Sequence, residues 1–456
     1  MIILLQILLL SYYIINIIAL KPEHSKNLSL KHKIGQMGQL DIGLFMNPDH
    51  SVNWDMVREW FHLYKIGSIL DSPYSSGPEP NGKIGWNASE WRNVINEFQK
   101  IALETTGIPI IYGIDSIHGA TYIRGATLLP TQLNLAATFN PLLAYNSGMI
   151  TSKDTRAAGM QWLFSPVLGL ALHPAWPRFM ETFGEDPYLA SIMGQAIIKG
   201  IQYDENNNNN ENNNKSTNFF PTKAAACMKH FIGYSNPNTG HDRSPVVLND
   251  RLVRELYIPS FKAAVEAGVM TAMESYQEIG GIPMIKSKEY LKDLLRKELK
   301  FDGVLVSDYQ EIENLYIWHH AVSSHADAIK VSLSETSIDM SMIPMDHIFY
   351  DELYNLVGEH KIDENRLDIS VHRILQLKED LGILDNPFMS LNDPIINTVG
   401  QPIDSEQSLK MSQESIVLLQ NYHQVLPLQS YSSSNDNNNN NNKPKIKVFF
   451  EWSYIR

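Results

Sequence analysis

The sequence predicts an α/β chain whose main part is a barrel of the (β/α)8 TIM type, followed by the beginning of a second α/β domain. Three observations predict it. Between about Leu30 and Leu384, short apolar runs alternate with longer amphipathic segments, the rhythm of βα units around a parallel sheet. The 456 residues are too many for one small domain and suit a barrel of roughly 250 residues or more with additions. After Leu384 the texture breaks at Asn386-Pro387, and helix-like and strand-like segments resume beyond a linker.

In chain order, strands are expected where a short apolar run ends in polar sequence, at 66–70, 108–114, 162–166, 225–230, 269–274, 303–306 and 337–342. Between them, segments long enough for a helix and amphipathic at its period are expected at 90–105, 142–158, 188–201, 251–267, 287–299 and 326–334, with 364–381 closing the run. About seven such units favour a barrel over an open sheet. Asparagine tracts at 206–214 and 437–442 have no apolar residues to contribute to a core and read as solvated insertions. Residues 1–20 form a leader, 30–385 the barrel, 386–404 a linker and 405–456 the start of a truncated second domain. In that last part, 405–414 is expected to be a helix and 416–419 and 446–450 strands, too little to bury a core alone.

Met1 to Leu20 is almost wholly apolar with no acidic residue before Lys21-Pro22-Glu23, which reads as a secretory signal peptide. The lack of Lys or Arg at its start keeps a signal anchor open. Apart from this leader no apolar run is long enough to span a membrane. Sequons at Asn27, Asn87 and Asn214 suit N-glycans and an extracellular or lysosomal destination. Cys227 is the sole cysteine, so no internal disulfide is possible.

The chain carries 37 basic and 50 acidic residues, a net of −13, which disfavours nucleic acid as a partner. The fifteen His lack metal-ligand spacing, and adjacent His319 and His320 would diverge on a helix or strand, so no metal is expected. Without a Gly-rich turn between a strand and a helix, no dinucleotide cofactor is expected either.

In a parallel barrel, function gathers at the carboxyl ends of the strands. Four apolar runs end in such residues: Asp115, Lys229-His230, Glu274-Ser275-Tyr276 and Ser307-Asp308. An Asp capping the next helix is the plainer explanation for any one of them. Four in register point to a site.

Several stretches resemble glycoside hydrolase family three, which includes β-glucosidases and exo-acting glucan hydrolases. They are Tyr112-Gly-Ile-Asp-Ser-Ile-His-Gly119, Leu128-Leu-Pro-Thr-Gln132 with Ala136-Ala-Thr-Phe-Asn140, Glu181-Thr-Phe-Gly-Glu-Asp-Pro187, Lys229-His-Phe-Ile-Gly-Tyr234 with Gly240-His-Asp-Arg243, Glu274-Ser-Tyr276 before Gly281-Ile-Pro283, and Phe301-Asp-Gly-Val-Leu-Val-Ser-Asp308. The resemblance covers roughly residues 34 to 384, and Ser415-Ile-Val-Leu-Leu-Gln420 with Leu426-Pro427 is similar to the entry of the family's second, α/β sandwich domain.

The resemblance implies a retaining hydrolase that releases terminal β-D-glucosyl residues from β-glucosides or β-glucan oligosaccharides, with Asp308 as nucleophile. It assigns Asp115, Arg178, Lys229 and His230 to the sugar hydroxyls, and Met273 and Tyr276 to the apolar floor and the phenol beside the nucleophile. Carboxylate, guanidinium and ammonium groups give the directional bonds a ring of hydroxyls needs; a buried ion-pair network tying loops together is the competing reading. No cofactor is implied.

The sequence departs from the family at Pro174-Ala-Trp-Pro-Arg178, where an Arg is replaced and a Pro added, at Gln277, and at Tyr309, where many relatives have Trp. The family's acid/base glutamate belongs to the second domain and has no match here, so an inactive or sugar-binding remnant is the alternative reading. Single-domain members use a His-Asp pair as proton donor after the Lys-His strand, and His241-Asp242 stands in a similar place.

Overall fold

A computed structural model describes residues 21–73, 85–202, 224–424 and 426. The leader, Asn214, both asparagine tracts and the strand expected at 446–450 lie outside the described residues.

Eight parallel strands form the barrel: β1 Gly38–Asp41, β2 Ser68–Leu70, β3 Ile111–Ile114, β4 Trp162–Leu163, β5 Ala225–Phe231, β6 Thr271–Glu274, β7 Val304–Val306 and β8 Ser341–Met342. Their order is β8-β1-β2-β3-β4-β5-β6-β7, and a bridge between Val306 and Met340 closes the ring. Each strand is buried along its whole length, as a parallel strand covered on both faces must be. The strand missing from the sequence reading is β1. It has one apolar residue, Leu40, because Gln39 faces a buried partner: its Nε2 donates to Ser68 Oγ at 2.8 Å, and that hydroxyl donates to Ile111 O at 3.0 Å.

The outer ring comprises α1 Leu30–Gln36, α2 Trp54–Tyr64, α3 Ala88–Thr106, α4 Gln132–Ala137, α5 Pro141–Ala157, α6 Pro187–Ile201, α7 Ile258–Glu266, α8 Glu289–Glu298, α9 Glu311–Ile317, α10 His325–Glu335, α11 Ile348–Gly358, α12 Glu364–Asp380 and α13 Pro402–Glu414. Of these, α8 is a π-helix, and the π-turn Val253–Tyr257 leads into α7. Start and stop signals are local. Asn87 and Glu90 form a capping box on α3, which ends at Gly107 in the left-handed region, and Asp186 caps α6 just before Pro187. Below the strands, α12 inserts the fully buried Lys378, whose ammonium donates to Gln36 Oε1, Gly67 O and Pro109 O at 2.6, 2.8 and 2.7 Å. One side chain thereby ties the entries of β1, β2 and β3 together.

The compact unit that contains the barrel runs to Ile416. Within it the 386–404 stretch packs against the helices: Arg92 pairs with Asp393 at 3.2 Å and Lys153 with Asp404 at 2.8 Å. Residues 416–419 form no strand, and their side chains are exposed, which corrects the expectation from their apolar content. An apolar run makes a strand only where a neighbouring strand pairs with it, and none does so among the described residues. From Val417 a second unit begins, described as a short 3-10 turn at Tyr422–Gln424.

Candidate active site

The strand ends gather one polar cluster. Asp115 directly follows β3, Lys229 and His230 lie within β5, Met273 and Glu274 end β6, and Asp308 stands two residues past β7. Lys229 Nζ and Asp115 Oδ1 form a tight ion pair in which Lys229 is buried and Asp115 half-exposed. Asp308 is buried. Its Oδ1 accepts the Tyr309 amide at 2.7 Å, and its Oδ2 lies 3.5 Å from His230 Nε2 without a hydrogen bond among the described residues. The peptides Lys229-His230 and Phe231-Ile232 are cis.

Burial pushes the Asp308 carboxyl up from its ordinary range, and Arg178, the Tyr309 amide, Tyr276 and Lys229 oppose that shift by favouring the charged form. His230 is driven well below the usual imidazole range by burial, reinforced by Arg178, Lys229 and Arg243, so it is neutral.

A ring wall stands beside the carboxylate. Trp176, Tyr234 and Tyr276 form a buried aromatic cluster with Phe179 and Tyr309 packed against it. Arg178 sits in the loop after β4, held in a fork by Glu181 at 3.0 and 2.8 Å and lying 5.6 Å from the centre of the Tyr234 ring. Arg243 covers the Tyr276 ring at 3.8 Å. Asp242 Oδ1 accepts from Tyr234 Oη at 2.6 Å and from Trp176 Nε1 at 3.0 Å, while His241 is exposed.

Beneath the nucleophile candidate lies a buried acidic floor. Glu274 Oε1 accepts the Asp308 amide at 2.9 Å. On α9, Glu311 accepts from Asn314 Nδ2 at 2.6 Å and meets His319 Nε2 at 2.8 Å, and His319 Nδ1 meets Glu278 at 2.9 Å. Burial lifts Glu311 to about 7 and Glu274 well above the carboxylate range. At the opposite rim, Tyr309 Oη donates to Asp41 Oδ2 at 3.1 Å, and burial with the neighbouring Asp41 raises Asp71 to about 7.

All seven residues singled out from the sequence therefore belong to one cluster, with Met273 buried in the core that floors it. Sequence reasoning missed Asp41, Asp71, Glu181, Glu311 and His319. Asp41 follows the same rule as Asp115, a polar residue ending a strand, and was hidden only because β1 itself was. His319 points inward between two carboxylates while His320 is exposed, a difference that the helix end at Trp318 creates and no spacing announces. Among the described residues no group of His, Cys, Asp and Glu side chains could hold a metal ion.

Such a cluster, with a buried carboxylate flanked by cationic and ring-bearing side chains open to a half-exposed acid, can bind a polyhydroxylated ring and attack it. The chain is similar to several known proteins. The chain is 42% identical over 408 residues to the lysosomal beta glucosidase of Dictyostelium discoideum, covering 88% of this chain and 48% of that protein. It is 27% identical over 410 residues to the periplasmic beta-glucosidase of Salmonella typhimurium, covering 89% and 48%. A mutant beta-glucosidase from Listeria innocua, solved in complex with laminaribiose, superposes with a TM-score of 0.75 at 29% identity over 89% of this chain and 53% of that one. The chain thus spans about half the length of the curated relatives it matches. Residues 29–377 match the glycosyl hydrolase family 3 N terminal domain. With this match over most of its length and a closed parallel barrel to carry it, the chain belongs to glycosyl hydrolase family 3.

Proposed function

We propose that this chain supplies the nucleophile and the sugar subsite of a retaining β-glucosidase that removes terminal non-reducing β-D-glucosyl residues from β-glucosides or β-glucan oligosaccharides. The observation that carries the reading is the state of Asp308: one carboxylate oxygen is anchored by the Tyr309 amide, and the other is buried beside a neutral imidazole, with the Tyr276 phenol at the carboxylate. A lone pair on Oδ2 is free to form a bond to an anomeric carbon. As that bond forms, the bond to the leaving oxygen breaks, and water later hydrolyses the glycosyl ester.

Arg178 and Lys229 hold positive charge near Asp308, which favours the ionised form that attack requires. Asp115, half-exposed, accepts sugar hydroxyls, with Lys229, His230 and Arg178 as donors and Met273 and Tyr276 against the ring. The names of the relatives, lysosomal and periplasmic beta glucosidases, favour the substrate class and an export route. On a glycosylating route the sequons at Asn27, Asn87 and Asn214 would take N-glycans. Asn27 is exposed, and Asn87 uses its carbonyl oxygen as a helix cap, which leaves its amide nitrogen for a glycan.

A mechanism-based fluorinated glucoside with an activated leaving group tests the reading, because its glycosylation step needs little protonation. Peptide mapping of the inactivated protein is expected to place the label on Asp308; a label on another carboxylate overturns the assignment.

A further inference from the structure

The parallel ladder between β6 and β7 pairs Thr271 with Val304, Ala272 with Leu305 and Met273 with Val306, and there it stops. The next residues of the β7 chain are nevertheless fixed. The Ser307 amide donates to Met340 O at 2.9 Å, and Ser307 Oγ, accepting from the Met342 amide at 2.9 Å, donates to Asp308 O at 2.9 Å. On the β6 side, the carboxyl of Glu274 takes the Asp308 amide at 2.9 Å. A side chain therefore extends the ladder by one rung at the residue that carries the candidate nucleophile.

We infer that Glu274 is a positioning residue for the reaction: as a neutral acid it anchors the Asp308 peptide and aims the Asp308 carboxylate without adding charge beneath it. This rests on the assignment of Asp308 as nucleophile. Glu274 is wholly buried, its Oε2 has no hydrogen-bond partner among the described residues, and the charges that act most strongly on it are those of Glu311 and Asp308, whereas Asp308 has Arg178, Lys229 and the Tyr276 phenol to favour its charged form. Burial, Glu311 and Asp308 all raise its proton affinity, against the amides of Asp308 and Ser275. An ionised Glu274 would raise the proton affinity of Asp308 and disarm it, so the same proton that keeps Glu274 neutral keeps Asp308 available. The neighbouring Glu311 and Glu278 each meet the His319 imidazole, at 2.8 and 2.9 Å, a contact that Glu274 does not make.

Two substitutions separate positioning from bulk. Glu274→Gln keeps a neutral acceptor at the Asp308 amide, whereas Glu274→Met fills the volume and removes the acceptor. With a dinitrophenyl β-glucoside, Glu274→Gln is expected to hold kcat within about threefold, and Glu274→Met to lower it by about tenfold or more with KM within about twofold. Thermal melting checks that both fold. If Glu274→Met does not, Glu274→Asp, which withdraws the acceptor by one methylene, carries the same expectation. An unimpaired Glu274→Met, or equal losses in the Gln and Met variants, overturns the inference. The fluorinated glucoside, applied to the unmodified chain, separates the two levels. A label away from Asp308 removes the nucleophile assignment and this inference with it, whereas a label on Asp308 beside an unimpaired Glu274→Met removes only the role of Glu274.

Discussion

His230 Nε2 stands 3.5 Å from Asp308 Oδ2, both side chains buried, and the imidazole is held neutral by burial and by three neighbouring cations. The pair is not an ion pair. A neutral ring next to the oxygen of the proposed nucleophile leaves its lone pair unneutralised, which a protonated His would not. Asp308→Asn keeps the shape and the acceptor for the Tyr309 amide but removes the attacking charge. It is expected to lower turnover of aryl β-glucosides by ~10³-fold or more, with a melting temperature close to that of the parent, measured by steady-state kinetics and calorimetry. Asn is the better probe than Gly, because the residue is buried and a smaller side chain would leave a hollow.

The proton-donor pair suggested by His241-Asp242 meets an obstacle in the structure. Asp242 is spent on Tyr234 and Trp176, and His241 is exposed. His241→Ala is therefore expected to change rates on cellobiose-type disaccharides and on nitrophenyl glucosides alike, within about twofold. A selective loss on the disaccharide, whose leaving group needs protonation, would reinstate the pair.

How much of this was legible follows from what each signal depends on. Asp115, Lys229, His230 and Asp308 could be read because a parallel barrel brings all strand ends to one rim, so position along a strand becomes position in space. Asp41 could not, because β1 shows one apolar residue in four and the amide of its buried Gln39 donates to Ser68, 29 residues away. The helix Trp54–Tyr64 carried its own signal, an Asn53 cap with Val57 and Phe61 inward, which a strand-first pattern passes over. The acidic floor is the opposite case. Glu274 is legible as a strand end, but Glu278, Glu311 and His319 are ordinary surface-type residues that only tertiary packing turns into a buried network.

The raised carboxyls of that network, together with Asp71 at the opposite rim and Glu313 on α9, which accepts from Gln310, set a pH dependence of stability. Burial raises Glu311 and Glu313 from 4.5 to about 7 and Asp71 from 3.8 to about 7, and it raises Glu274 well above the ordinary carboxylate range. Each binds a proton more tightly folded than unfolded, so its stabilising contribution is full below the ordinary carboxyl range and is lost as pH rises through 7. His319, raised by its two carboxylates against burial, acts in the same sense. His230 and His32, lowered by burial, oppose them below 6.5, and Lys378, lowered by burial to about 7, opposes them as pH rises through 7. With Asp41 and Asp154 also raised by burial, the carboxyls outnumber these three, and the melting temperature is expected to be higher at pH 5 than at pH 7.5 by roughly 2–6 °C. Scanning calorimetry at the two pH values checks this, and a reversed order would mean that these carboxyls are ionised in the fold.

Asp115 separates the two readings of the cluster, sugar ligand or structural ion pair. Its partner Lys229 is buried, so Asp115→Ala leaves an ammonium with no counter-ion at that position. Because Asp115 itself is half-exposed, the stability cost is expected to be modest, about 1–2 kcal/mol. If the carboxylate also takes substrate hydroxyls, kcat/KM falls much further than stability does, by ~10²–10³-fold. Removing the ammonium as well decides between them. Lys229→Met in the Asp115→Ala background cancels the unpaired charge, so the double variant is expected to regain most of the lost melting temperature while its activity stays low. That non-additivity in stability without recovery of turnover is the signature of a pair that both packs and binds. Recovery of both together would reduce Asp115 and Lys229 to a strut between the ends of β3 and β5.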